Sequence, residues 1–300
     1  MFRNIGDSGI NIVKNAMKLV DEDGEYERPS EISAFMSYVE RPPYNIDSFN
    51  HWRYQQNPLT YTDMTVDNPH SNEDDLVSTF NMVSDDLIKG TLPKEWSYNF
   101  AMKIYLGLIV DSFDPLHLSE FFDESNFKDG DDGGRKFFVL FKGKNISLNE
   151  FWNTGCGKYT YNLPFTKQQW DEVDQKVTHL IQNNWMNKFN GYTKPIDYIQ
   201  EESYNISRDF VYKGIEQNKE LPSEYVNKCI DIVEERITNS GYYIGRFLRK
   251  FNVPQKPVKV GKQPMKTTET LAWSLFCLLL PTTIFLIFDC INSKSSYLDL

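Results

Sequence analysis

Three stretches decide the fold: Ile109–His117, IVDSFDPLH; Asp129–Gly134, DGDDGG; and Ser147–Gly155, SLNEFWNTG. The first closes a helical reading over residues 95–112, which ends just before Pro115 because the residue ahead of a proline is pushed out of the helical region. The second gathers Asp129, Asp131 and Asp132 beside Gly133 and Gly134. Carboxylates suit hard cations, but Leu140 stands where a calcium loop needs its glutamate. Between the second and third stretches, Lys136–Phe141 is the strongest strand signal, followed by Gly143–Asn145 as a turn and a short return strand. Working outward, residues 8–20 and 73–89 also read as helices. Trp170, Val173, Val177, Leu180, Ile181 and Trp185 share one helical face, as do Tyr225, Cys229, Ile232, Val233, Ile237, Ile244, Phe247 and Leu248. Both stripes are expected in the core. The result is a mainly α, multi-helix body with a small β-hairpin over residues 1–252.

A different signal follows the body. Pro254, Pro257 and Pro264 alternate with lysines, giving a basic, extended linker over residues 253–269. Residues 270–288, TLAWSLFCLLLPTTIFLIF, carry no charge and, at about 1.5 Å per residue, span roughly 30 Å of hydrocarbon. One C-terminal transmembrane helix is expected there, with residues 289–300 as a short tail. Pro281 is compatible with such a helix. Arg246, Arg249, Lys250, Lys256, Lys259, Lys262 and Lys266 precede the span, whereas Lys294 faces Asp289 and Asp299 after it. Positive charge stays on the untranslocated side. The opening MFRNIGDSGINIVKNAMKL is amphipathic rather than basic and then apolar, unlike a secretory signal. A tail-anchored body on the cytosolic or mitochondrial-matrix side is therefore expected; an incomplete start would instead give an extracytoplasmic body.

Charge narrows the partners. The chain is formally −10, and setting aside the basic flank and the acids and lysine beyond it leaves residues 1–245 at −15. Such a body repels nucleic acid phosphates, so nucleic acid is not expected as a partner. Of four cysteines, Cys277 and Cys290 lie in or beside the span, and Cys156 and Cys229 alone in the body suggest no disulfide framework. Asn145 and Asn205 open glycosylation triplets, which matter only for a translocated body.

Taken in order, the three opening stretches resemble the zinc-dependent single-strand nucleases and 3′-nucleotidases, the S1/P1-type nuclease family. Its pattern is H-x-x-x-D, Q-P-L-H, G-D-x-G-G-N and N-L-H-x-x-W-D-x-G. Further fragments extend the resemblance: NIGDSG is similar to W-G-x-x-G-H and HWRYQQNPL to H-W-H-Y-x-x-x-P. EESYNISRDFVY and ERITNSGYYIGRFLRKFN resemble the family's two closing helices. The resemblance implies a body of the phospholipase C/P1 nuclease type and explains the glycines of DGDDGG as a turn.

It also implies a zinc site, in which bound metal generates hydroxide and clamps phosphate. Most matching positions here are unsuited to zinc. The amino-terminal Trp corresponds to Ile5, the following His to Ile10, and an early Asp to the neighbourhood of Ser37. The His of H-W-H-Y is Arg53, a cation where a cation should bind. Gly107 stands one turn before Asp111 in place of His, while Asn149 and Asn153 replace a His and an Asp. Asp111 and His117 remain as vestigial ligand positions, and in the family these serve different ions. Arg53 is expected to pair with Asp111.

The four histidines, His51, His70, His117 and His179, show no H-x-x-x-H spacing. His70 and Asp74 read as a solvated helix start, His51 as a packing residue, His179 as half exposed, and His117 as the holder of an inherited hydrogen bond. The reading is a pseudoenzyme with no catalytic residues and no cofactor, serving as a membrane-anchored accessory subunit or protein-binding scaffold, conceivably mitochondrial, with other protein subunits as partners. The alternative is a metal-dependent single-strand nuclease or 3′-nucleotidase with a reduced metal site and zinc as cofactor.

Overall fold

The computed structural model describes residues 33–40, 42, 44–66, 74–89, 92, 95–160, 165–182 and 196–250. The expected helix 8–20, positions Ile5 and Ile10, His70, Trp185, the linker, the span and the tail lie outside them. All described residues fall within one unit of the chain, Met1–Val253. No helix among them is long and apolar enough to cross a membrane.

The elements in chain order are α1 (Phe35–Val39), α2 (Asn50–Arg53), β1 (Asn57–Leu59), α3 (Leu76–Lys89), α4 (Glu95–Ser112), a 3-10 turn (Pro115–His117), β2 (Ser119–Phe121), β3 (Phe138–Phe141), β4 (Lys144–Ser147), α5 (Leu148–Asn153), α6 (Lys167–Gln182), α7 (Ile196–Ile206), a π turn (Ser207–Val211) and α8 (Ser223–Lys250). The body is mainly helical, as expected. Helix α4 is its spine: Met102, Ile104, Tyr105, Leu106, Leu108 and Ile109 are all buried, so it is apolar around most of its circumference, as a helix enclosed by others must be. Against it α3 sets Leu76, Phe80, Val83 and Leu87, and the end of α8 sets Ile244, Phe247 and Leu248. Tyr105 and Phe247 meet with ring centroids 4.0 Å apart.

A second core lies past Pro115. Phe127, Phe137, Val139, Leu148, Phe151, Trp152, Tyr212 and Tyr225 pack there. Its hairpin pairs β3 and β4 antiparallel, with Phe141 opposite Lys144. Lys142 and Gly143 both take positive φ, 52° and 74°, the two-residue turn whose twist matches a hairpin. Ser147 then caps α5 by accepting the Glu150 amide at 3.1 Å. Strands β1 and β2 run parallel, Asn57 beside Ser119, and bring the α2 region against the segment after α4.

Two expectations require correction. Cys156 and Cys229, read as belonging to no disulfide framework, are joined in a disulfide that ties the loop after α5 to α8. A single pair separated by 73 positions has no spacing pattern to betray it. The helical stripes are also less apolar inside than expected. On α6 only Leu180 is buried. On α8 Ile237 is 47 % exposed, while Arg236, Asn239 and Ser240 turn inward. The reason lies in what α8 crosses: Arg236 donates from Nε to the Phe113 carbonyl at 3.0 Å and from Nη2 to the Ile199 carbonyl at 3.4 Å, and it also bonds Ser203 and pairs with Glu202. Those buried carbonyls require donors, which isoleucine cannot supply.

Candidate functional site

Arg53 ends α2 and is only 8 % exposed, as is Asp111 on the last turn of α4. Their pairing is two-pronged: Nε donates to Asp111 Oδ2 at 3.0 Å and Nη2 to Oδ1 at 3.3 Å. The remaining prong, Nη1, donates to Glu40 Oε2 at 3.2 Å. Burial works against the guanidinium's charge, yet the adjoining Asp111 carboxylate more than offsets it and holds the pKa above the ordinary arginine value. The expected pair is thus formed, with Glu40 as a second acid.

His117 reaches the same place from the 3-10 turn. Asp114 shapes that turn by accepting the Leu116 amide at 2.9 Å. The His117 ring is buried, with Nδ1 2.8 Å from the Arg53 carbonyl oxygen. A carbonyl only accepts, so this nitrogen carries a proton and the expected hydrogen bond is present. Asp111 Oδ1 lies 3.6 Å from the same nitrogen. Tyr54 stacks on the imidazole at 4.2 Å, and the Arg135 guanidinium lies 4.3 Å from the Tyr54 ring centroid. Burial pushes the Tyr54 hydroxyl up to about 12, against the pull of Arg53 and Arg135.

Asn149 and Asn153 occupy one face of α5 at one-turn spacing and bond each other: Asn153 Nδ2 donates to Asn149 Oδ1 at 2.8 Å. Asn149 Nδ2 donates in turn to the Gly133 carbonyl at 3.0 Å. The structure therefore brings Arg53, Asp111 and His117 into contact and places the two asparagines as a separate couple. Asn153 and Asp114 together line a cleft of about 250 Å³ with Phe113, Trp152 and Arg236.

Gly107 faces the short helix α1. A Cβ there would stand 2.6 Å from Met36 Cε and 3.2 Å from the Ser33 carbonyl oxygen, so Met36, itself buried, fills the space a larger residue would enter. Ser37 lies on the same helix, but Glu40, just past its end, is the residue that reaches Arg53. His51, expected to pack, is exposed instead and lines a polar cleft with Tyr54, Asp75 and Arg135.

The acidic loop turns its carboxylates to structural uses. Asp131 is fully buried and accepts from the Phe121 amide at 2.9 Å and the Tyr212 hydroxyl at 2.8 Å; burial pushes its carboxyl up to about 6. Glu120 accepts the Asp132 amide at 3.3 Å and is pushed by burial, and further by Asp131 and Asp132, up to about 7. Gly130, at φ +81°, is required because a Cβ would stand 2.1 Å from Glu120 Oε1. Among the described residues, no group of three or more His, Cys, Asp or Glu side chains is arranged to hold a metal ion. A cation approaching Asp111 meets a guanidinium already bonded to both carboxylate oxygens.

Sequence reasoning located Arg53, Asp111 and His117 but missed Glu40, Met36, Tyr54 and Arg135. Tyr54 is visible in HWRYQQNPL as the neighbour of Arg53, whereas Glu40, Met36 and Arg135 are joined to the site only by the fold.

The described residues form a helical body built on the buried helix α4, with a polar centre of Arg53, Asp111 and His117 at the end of that helix. The sequence model of the S1/P1 Nuclease family matches residues 12–252, and the chain belongs to that family. No curated protein matches the chain.

Proposed function

We propose that this chain is a catalytically silent member of the S1/P1 nuclease family, a membrane-anchored body whose surface serves protein contact. The observation that supports this is the Arg53 guanidinium bonded to both oxygens of Asp111 at 3.0 and 3.3 Å. In a nuclease of this family the matching carboxylate would bind zinc. A permanently charged guanidinium beside it both occupies the lone pairs and repels a divalent ion. Asn149 and Asn153 add no anionic ligand, and Gly107 adds none at all. Ile5 and Ile10, by the motif match, supply two apolar groups more. The residues present do not suit a zinc cluster, so no hydrolytic step is assigned to them.

The uncharged run 270–288 supplies the anchor, and the −15 body favours protein partners over nucleic acid. The test is metal analysis of the purified full-length protein after equilibration with zinc, alongside hydrolysis of single-stranded DNA and of a 3′-nucleotide. The expected result is no tightly held zinc and no chelator-sensitive hydrolysis; stoichiometric zinc with hydrolysis sinks the proposal. Membranes washed at high pH should retain the chain, and release into the supernatant would remove the anchor from it.

A further inference from the structure

The Cys156–Cys229 disulfide bears on where the body folds. Both cysteines are buried, 1 % and 0 % exposed, and their Cα atoms lie 6.0 Å apart. Stable protein disulfides belong to oxidising compartments, whereas cytosol and matrix keep thiols reduced. The basic flank favours the other side, since Lys256, Lys259, Lys262 and Lys266 lie close enough to the span to count toward its orientation; the buried disulfide is the structural observation set against it. In the secretory lumen the two acceptor triplets, Asn145-Ile146-Ser147 and Asn205-Ile206-Ser207, become chemically relevant.

The fold treats them differently. Asn145 lies on β4, directly after the hairpin turn, and its side chain is exposed. Lys142, Gly143 and Lys144 beside it are exposed too, and nothing lies within 4 Å of a Cβ built on Gly143. A bulky group on Asn145 extends into open solvent. Asn205 is half-buried in helix α7, inside a groove it shares with Tyr198, Asp209 and Phe210. The hydroxyl of its triplet, Ser207, is fully buried and donates to the Pro115 carbonyl at 3.0 Å.

We propose that the body folds in the lumen of the secretory pathway and carries an N-linked glycan on Asn145, with Asn205 unmodified. This stands independently of catalytic silence, since an active enzyme could be modified in the same place. The experiment expresses the full chain in a eukaryotic host, treats membranes with peptide N-glycosidase, and compares N145Q with N205Q. The expected result is a mobility shift in the parent and in N205Q that is absent in N145Q, with Cys156 and Cys229 resistant to alkylation in denaturant until reduced. No shift in the parent, a shift that survives N145Q, or free thiols at both cysteines overturns it. Asn145→Gln alters an exposed side chain and leaves the Ser147 cap intact, so loss of the shift cannot be ascribed to misfolding.

Discussion

Two parts of this molecule, the centre around Arg53 and the asparagine couple on α5, satisfy their polar groups in opposite ways. Around Arg53, charge meets charge: a guanidinium lies between Asp111 and Glu40, with His117 bonded to its backbone. On α5, Asn149 and Asn153 satisfy each other without any charge. The difference is one of what happens when a member is removed. A buried ion pair broken on one side leaves a naked charge, whereas a neutral amide that loses its partner gives up only a hydrogen bond.

The largest expected effect follows at once. Arg53→Ala leaves Asp111 buried and unpaired and should cost about 3–5 kcal/mol in urea unfolding. The double variant R53M/D111L should recover most of that, since apolar replacement of both partners removes the stranded charge. Equal loss in the single and double variants would mean that Arg53 acts through packing alone, and the comparison would fail.

Gly107→Ala should cost up to about 2 kcal/mol, because about 1–3 kcal/mol of overpacking against Met36 and the Ser33 carbonyl is offset in part by the roughly 1 kcal/mol that alanine offers an α-helix. Thermal unfolding reads this directly. A G107A variant more stable than the parent would show that Met36 yields freely and does not plug the space.

The pH dependence extends the contrast to a third place, where β2 meets the acidic loop. Glu120 and Asp131 have folded-state values of about 7 and about 6, above their ordinary 4.5 and 3.8. The folded protein therefore holds protons that the unfolded chain has lost. Their effect is least unfavourable below about pH 4, stability falls as pH rises toward 7, and the slope vanishes above that. Unfolding free energies from urea titrations at pH 5 and pH 7.5 should differ by about 2–4 kcal/mol, lower at pH 7.5, and Glu120→Gln should flatten the part between pH 6 and 7. A slope unchanged in E120Q would assign the effect elsewhere.

The smallest effect belongs to the amides. Asn153→Ala should cost about 1 kcal/mol, and Asn149→Ala somewhat more, because it also gives up the bond to the Gly133 carbonyl. Chemical denaturation of the two variants checks the order. If N153A cost as much as R53A, the neutral couple would be no less critical than the charged one.

Much of the fold was legible. Residues 95–112 read as a helix ending before Pro115, and α4 is Glu95–Ser112; the hairpin followed from its strand signal and glycine. Local chemistry sets these elements, so local sequence reports them. Arg53 facing Asp111 was legible because the motifs place both positions in one pocket. Glu40 was not, since its contact depends on how α1 meets α2, which no spacing encodes. Arg236 was missed for a related reason. Periodicity puts apolar residues inside, and only the carbonyls of Phe113 and Ile199, brought near by folding, call for a donor there. The disulfide likewise depends on a contact across 73 positions.

That disulfide also closes a covalent ring in the chain. Helices α6 and α7 and the π turn all lie between its two ends. A protease that cuts once between residues 157 and 228 therefore opens the polypeptide without releasing a piece. The nicked protein should migrate as one species until reductant is added and as two afterwards, so an intact band on a non-reducing gel says little about whether this body has been cleaved.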